Sequence, residues 1–449
     1  MKHIYNLNLL IVLTATFITA RADASGGSAG PGTTNIALTS SLTIEAAIHE
    51  ALGNSPKIKK SEAIIEEMDW GKVTGRSGFL PKISVSANHF FDNTFQYITT
   101  AGPAPTTFSL VYPYTTLNLD ASITLFDGFQ AYNQYMGSKL KYEAAALEDS
   151  YTKLQVEEDV RLKFYQALAA QALELVADLN LKTLDDHLQK IQTQTRAGTA
   201  TRFDLLRIEV QLNDARTEKL VAQDSIAITK LKLAQAMGNE VEVREIKGEL
   251  PAPNPDILKN VFVEKAKRAD IAAKDLQVEA VERKRKESNG FWYPKISLNY
   301  EYQLYDNADR SFDSSNQSYH NTYFIGATLT WNLFDGGATL ARSQENAARL
   351  KEAEASIRMA RIQVPQDIEN WKRKYALSSQ VYFAKSSDVQ KAEESVRLAT
   401  LGLRAGTRTS TEVLDSELDL FRARAGVVKA QVDAIEAKTN LELALGQKF

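Results

Sequence analysis

The chain has no cysteine among its 449 residues. Disulfides, thiolate catalysis, cysteine-ligated metals and lipoprotein acylation are therefore excluded. Past the N-terminus, no window holds the ~20 uninterrupted apolar residues of a membrane-spanning helix. Charge of either sign is not in excess. With 53 Lys and Arg against 56 Asp and Glu, the net charge is −3, and nothing calls for nucleic acid. His49, His89, His187 and His320 are scattered, which supports neither a metal site nor a catalytic base. Gly71, Gly75 and Gly78 lack the Gly-Lys-Ser/Thr ending of a phosphate loop and read as a flexible approach to the strand that follows. The carboxylate runs at 148–149, 157–159 and 185–186 read as solvated helix faces. No cofactor and no enzymatic activity are expected.

The N-terminus has the basic residues Lys2 and His3, an apolar stretch from Ile4 to Ala20, and Ala22-Asp23-Ala24. This is the pattern of a secretory signal peptide over residues 1–24. Residues 25–40 are rich in Gly and Ser and read as a flexible segment.

The chain repeats itself. Phe79-Leu80-Pro81-Lys82-Ile83 recurs as Trp292-Tyr293-Pro294-Lys295-Ile296, an offset of 294 − 81 = 213. Leu125-Phe126-Asp127-Gly128 recurs as Leu333-Phe334-Asp335-Gly336, at 334 − 126 = 208. Arg196-Ala197-Gly198-Thr199 recurs as Arg404-Ala405-Gly406-Thr407, again at 208. The halves span 41–238 and 256–446, joined by a linker at 239–255 that carries Pro251, Pro253 and Pro255. A unit this long is a duplicated domain, not a solenoid repeat.

Each half reads as a helix, two strands and a long helical hairpin. Strands are expected at about 79–91, 115–126, 291–305 and 321–334. Their period-two alternation over about ten residues is that of a transmembrane strand, apolar to lipid and polar to a lumen. Aromatic residues at the strand ends fit a membrane interface. The polar segments 92–114 and 306–320 read as external loops. Helical hairpins are expected over 129–237 and 337–445, with stops at Gly198 and Gly406 and N-caps at Thr201 and Thr409. Pro365 predicts a bend or a lost hydrogen bond in the second long helix.

Four strands cannot close a membrane barrel, which needs at least about eight. Two copies would supply eight strands and three would supply twelve. The hairpins are too long to lie in a bilayer and must project from it as a tube. A secreted coiled-coil structural or adhesive protein without a pore is the alternative, and it needs no lipid-facing strands.

In duplicate and in order, these motifs resemble the TolC-like outer-membrane efflux protein family. The carriers are Phe79-Leu80-Pro81-Lys82-Ile83, Trp331-Asn332-Leu333-Phe334-Asp335-Gly336-Gly337, Ala197-Gly198-Thr199 with Asp204, and Ala405-Gly406-Thr407-Arg408 with Val413-Leu414-Asp415. The resemblance implies a mixed α/β membrane protein in the cell outer membrane. It is expected as a homotrimer with a 12-stranded β-barrel, four strands per chain, set on a periplasmic α-helical coiled-coil barrel. It implies an exit duct for efflux or type I secretion. The partners implied are a periplasmic adaptor, an inner-membrane pump of RND, ABC or MFS type, and outer-membrane lipid.

The resemblance also implies site residues. Gly198, Thr199, Gly406 and Thr407 would form the tips that touch the adaptor. Glu412 and Asp415, three apart on one helix face, would line the aperture as a ring of carboxylates. Thr409 and Glu412 also form a capping-box pattern. Arg408 and Asp204 would latch the closed state through a charge-assisted bond. The family's latch tyrosine is Leu403 here. The first-half equivalents of Arg408, Glu412 and Asp415 are Ala200, Asp204 and Arg207, so the second half is expected to carry the gate.

Overall fold

The computed structural model describes residues 41–91, 96–99, 102–103, 107–110, 115–240, 245–261, 268–306 and 319–448. The expected signal peptide and flexible segment, and much of both polar segments between strands, lie outside these residues. Helices α1 (Ile44–Asn54) and α2 (Pro56–Arg76) precede strands β1 (Lys82–His89), β2 (Gln96–Thr99), β3 (Thr107–Leu110) and β4 (Thr115–Phe126). The hairpin α3 (Gln130–Arg196) and α4 (Arg202–Met237) follows. The second half has α5 (Ala269–Asn289), β5 (Lys295–Asp306), β6 (Tyr319–Thr330), α6 (Ala338–Arg404) and α7 (Ser410–Leu445). Among the described residues, no helix is long and apolar enough to cross a membrane.

The long helices start where an aspartate meets their free N–H groups. Asp127 accepts from the N–H groups of Gln130 at 3.0 Å and Ala131 at 2.8 Å. Asp335 accepts from Thr339 N at 2.8 Å. Helices α3 and α6 each run 67 residues, and α4 and α7 each run 36. A helix of that greater length spans about 100 Å. All four pairs of boundaries differ by 208, as in 338 − 130 and 445 − 237.

Helix α6 stays continuous through Pro365. Proline has no N–H, so the bond to the Arg361 carbonyl is lost, but the packed helix carries on. Gly71 and Gly75 belong to α2 and not to a flexible approach. A Cβ at Gly75 would stand 3.2 Å from the Tyr135 Cα, so glycine here lets α2 lie close against α3.

Strands β1, β4, β5 and β6 form one antiparallel sheet in the order β1-β4-β5-β6. Rows across the sheet alternate in character. Val85, Leu119, Tyr302 and Tyr323 make one row, and Ser84, Asp120, Glu301 and Phe324 the next. One face is thus apolar and the other mainly polar. Strand β6 ends at Thr330, short of the expected 334. Its partner β5 begins at Lys295, opposite Thr330, so the chain beyond has no neighbour to pair with. Strands β2 and β3 pair antiparallel within a segment read above only as a loop. Tyr97, Ile98 and Phe108 are good strand formers and account for the pairing.

The helical core joins the halves to their flanking segments. Leu42, Ala47, Ile58, Val156, Val160, Phe164, Leu233, Met237 and Ile246 pack together. Leu42 N–H donates to the Glu245 carbonyl at 2.8 Å, which pins the start of the linker. The Tyr375 hydroxyl accepts from Asn254 N–H and donates to Asn254 C=O, both at 3.0 Å, which pins its end.

Two of the carboxylate runs, expected as solvated faces, each have one buried member. Asp149 is buried, accepting from the Ser61 hydroxyl and pairing with Lys153 at 2.7 Å. Glu158 is fully buried beside Glu442 of α7, and Arg161 reaches both, at 2.7 and 3.3 Å. Burial and the neighbouring Glu442 push the Glu158 carboxyl up to about 7.

Candidate functional site

The two hairpins end in the same way. Gly198 and Gly406 adopt φ of 73° and 72°, the left-handed region that costs glycine least. Thr199 N–H reaches back to the Gln194 carbonyl at 2.8 Å, and Thr407 N–H to that of Gly402 at 2.9 Å. Each long helix thus closes in a Schellman motif. A Cβ on either glycine would meet nothing within 4 Å, so both tips are open to a partner. Gly198, Thr199, Gly406 and Thr407 all lie at this end of the molecule. Phe203 stands beside the first tip and is 70% exposed; the second tip has Thr411 at that position (203 + 208). Its exposure could not be read from the sequence pattern, because Phe203 falls in the first turn of an amphipathic helix.

Both returning helices begin with a reciprocal capping box. Thr201 N–H donates to Asp204 at 3.0 Å, and Asp204 N–H to the Thr201 hydroxyl at 3.2 Å. Thr409 N–H donates to Glu412 at 2.8 Å, and Glu412 N–H to the Thr409 hydroxyl at 3.3 Å. These bonds hold both carboxyls below their usual range. The Thr201 hydroxyl has the largest effect on Asp204, and the Thr409 N–H the largest on Glu412.

Within one chain, Arg408 and Asp204 do not meet. Arg408 Nη1 donates to Glu412 Oε1 at 3.0 Å, one turn along its own helix. Its side chain lies over Gly402 in the last turn of α6, where a Cβ would stand 2.4 Å from Arg408 Cγ. Glu412 therefore serves its own helix start twice, through Thr409 and through Arg408. Asp415 instead takes Arg207 of the other repeat, Nη2 to Oδ1 at 2.9 Å. It remains 54% exposed, so one oxygen is free to face solvent. Above it, His187 and Glu417 form a largely buried pair. That pair was hidden among the scattered histidines, although Leu184, Leu188 and Ile191 mark His187 as lying on a packed seam.

Electrostatically the tip region has carboxylates at 204, 412 and 415 and arginines at 207 and 408, all within two turns of a helix start. Such an arrangement can bind cations, or exchange partners between neighbouring helices when the helices shift.

Comparison with known proteins agrees with this architecture. The model of the outer membrane efflux protein family matches residues 47–239 and 264–447, one segment for each half. The chain is 22% identical over 418 residues to the alkaline protease secretion protein AprF of Pseudomonas aeruginosa, covering 89% of this chain and 83% of the relative. It is also 22% identical over 430 residues to the outer membrane efflux protein BepC of Brucella suis, covering 91% and 86%. Among solved structures, the outer membrane protein VceC of Vibrio cholerae superposes with a TM-score of 0.74 at 20% identity, over 90% of this chain and 96% of that one. With an open sheet, paired long hairpins and a match to both halves, this chain belongs to the outer membrane efflux protein family.

Proposed function

We propose that three copies of this chain form a closed 12-stranded barrel in the outer membrane, continued into the periplasm by the twelve helices of their hairpins. The assembly is the exit duct of a tripartite exporter. An adaptor protein docks at the tips around Gly198, Thr199, Gly406 and Thr407. An inner-membrane pump of RND, ABC or MFS type supplies the energy. The Glu412 and Asp415 carboxylates ring a narrow entrance, and Arg408 with Asp204 latches it between neighbouring helices. The relatives' names, protease secretion for one and efflux for another, support export as the role.

The open sheet carries this proposal. Both β1 and β6 are edge strands within one chain. Ile83, Val85, Ile325 and Leu329 are each 63 to 67% exposed on its apolar face. Unpaired edges cannot face lipid, so further copies must complete the pairing. A pore-less coiled-coil protein gives no reason for such a face.

The test is conductance. Detergent-solubilised protein of trimeric mass should insert into planar bilayers and pass ions. A monomer that stays soluble without detergent and never conducts would overturn the duct.

A further inference from the structure

His187 of α3 and Glu417 of α7 meet in the interior of the hairpin bundle, Nε2 to Oε1 at 2.8 Å. Their side chains are only 12% and 11% exposed. The seam around His187 is apolar: Leu184, Leu188, Ile191 and Leu414 pack there. The second oxygen of Glu417 is buried and has no hydrogen-bond partner among the described residues. The buried carboxylate therefore depends on the imidazole for its compensation, and in low dielectric that dependence is strong.

The pair occurs once per chain. The second-repeat equivalent of His187 is Ser395 (187 + 208), and the first-repeat equivalent of Glu417 is Glu209 (417 − 208). Ser395 instead donates to the Ser416 hydroxyl at 3.4 Å. The tie thus runs from the first repeat to the helix that carries Glu412 and Asp415, two residues beyond Asp415.

Other charges at this level are exposed or already engaged. On α3, Asp185, Asp186 and Lys190 are exposed. On α4, Glu209 is exposed and Arg207 is held by Asp415. On α6, Glu393 pairs with Arg424 and Glu394 with Arg397, and Lys391 is exposed. On α7, Glu412 is held by Arg408, and Asp419 lies 3.9 Å from Arg422. The imidazole and the Glu417 carboxylate are left to answer each other.

We infer that His187 and Glu417 form a proton-sensitive tie that fastens α7 against α3, so that the aperture closes more firmly as the periplasmic side acidifies. Histidine changes charge between pH 5 and 8. Protonated, the ring makes a charge-assisted bond to the carboxylate; neutral, it keeps at most an ordinary one. His187 acts here as a positioning residue for the gate helix. The inference rests on the aperture proposed above, and the experiment separates the two.

The chain has no native cysteine, so spin labels can be placed cleanly. Labels at Gln189→Cys on α3 and Asp419→Cys on α7, in the full-length assembled protein, report the α3–α7 distance at pH 5.5 and pH 8. The same preparation is recorded in planar bilayers. In the otherwise unaltered chain, the short-distance population and the ratio of closed to open time should both rise at pH 5.5, the latter at least about fivefold. His187→Gln and Glu417→Gln, each assembled as a trimer, should abolish both responses. A full pH response in either variant, or no distance change in the unaltered chain, overturns the tie. A pH-dependent distance in a protein that never conducts upholds the tie and overturns the duct instead.

Discussion

Arg207 and Asp415 stand at the same place in the two repeats, since 207 + 208 = 415, and they bind each other at 2.9 Å. The two repeats carry opposite charges at this position, so the pseudo-symmetric pair is an ion pair. Both groups are partly exposed, so the bond contributes about 0–1 kcal/mol. It is suited to yield when the helices move.

For the proposed entrance, the pair predicts how cations are handled. Arg207→Ala removes the counter-charge from Asp415 and should strengthen block by multivalent cations by roughly two- to fivefold. Asp415→Ala combined with Glu412→Ala should weaken it. Current recordings with a trivalent cation on the helical side measure both. An identical blocking concentration in the three proteins would rule out the carboxylate ring.

Arg408→Ala should raise the opening frequency of single channels, because it removes the arginine of the proposed latch at the second tip. Within its own chain Arg408 holds Glu412, so Glu412→Ala should free the guanidinium and lower the opening frequency instead. Opposite signs for the two variants are the expected result. The same sign in both would mean that the pair only caps a helix.

Glu158 makes stability depend on pH. Burial next to Glu442 raises its carboxyl to about 7 from an ordinary 4.5. The folded protein keeps a proton that the unfolded chain releases between those values. The associated stability is complete below pH 4.5 and is lost as pH rises to about 7. It amounts to on the order of 1–3 kcal/mol. Glu158→Gln should therefore flatten the fall in thermal midpoint between pH 5 and pH 8. A midpoint that falls equally in both proteins would remove Glu158 as the cause.

Tyr375→Phe tests the linker. The lost hydroxyl leaves the N–H and C=O of Asn254 without their partner, at about 1–3 kcal/mol. Limited proteolysis should then cut faster within residues 245–261. An unchanged rate would show that the linker is held by its apolar contacts alone.

Several features were legible because their causes are local. Period-two alternation marked the four strands of the large sheet, and a two-sided sheet is what alternation means physically. Thr409 with Glu412 spelled a capping box and Thr201 an N-cap, and the structure forms both, with Asp204 completing a second box that was not read from the sequence. Gly198 and Gly406 end their helices, because a left-handed turn favours glycine wherever the helix lies. The short β2–β3 pairing was missed because each strand has only four residues, too few for a period to stand out.

The sequence by itself determined the duplication, the strand faces, the helix ends and, through strand number, the need for more than one copy. These follow from covalent spacing and from each residue's own conformational preference. Only the tertiary structure decided partners. Arg408 chose Glu412, Asp415 chose Arg207, and His187, Asp149 and Glu158 went inside. On a 67-residue helix the side that becomes buried is set by neighbours hundreds of residues away. A charge or a histidine has the same local spacing whether it ends in water or in the core.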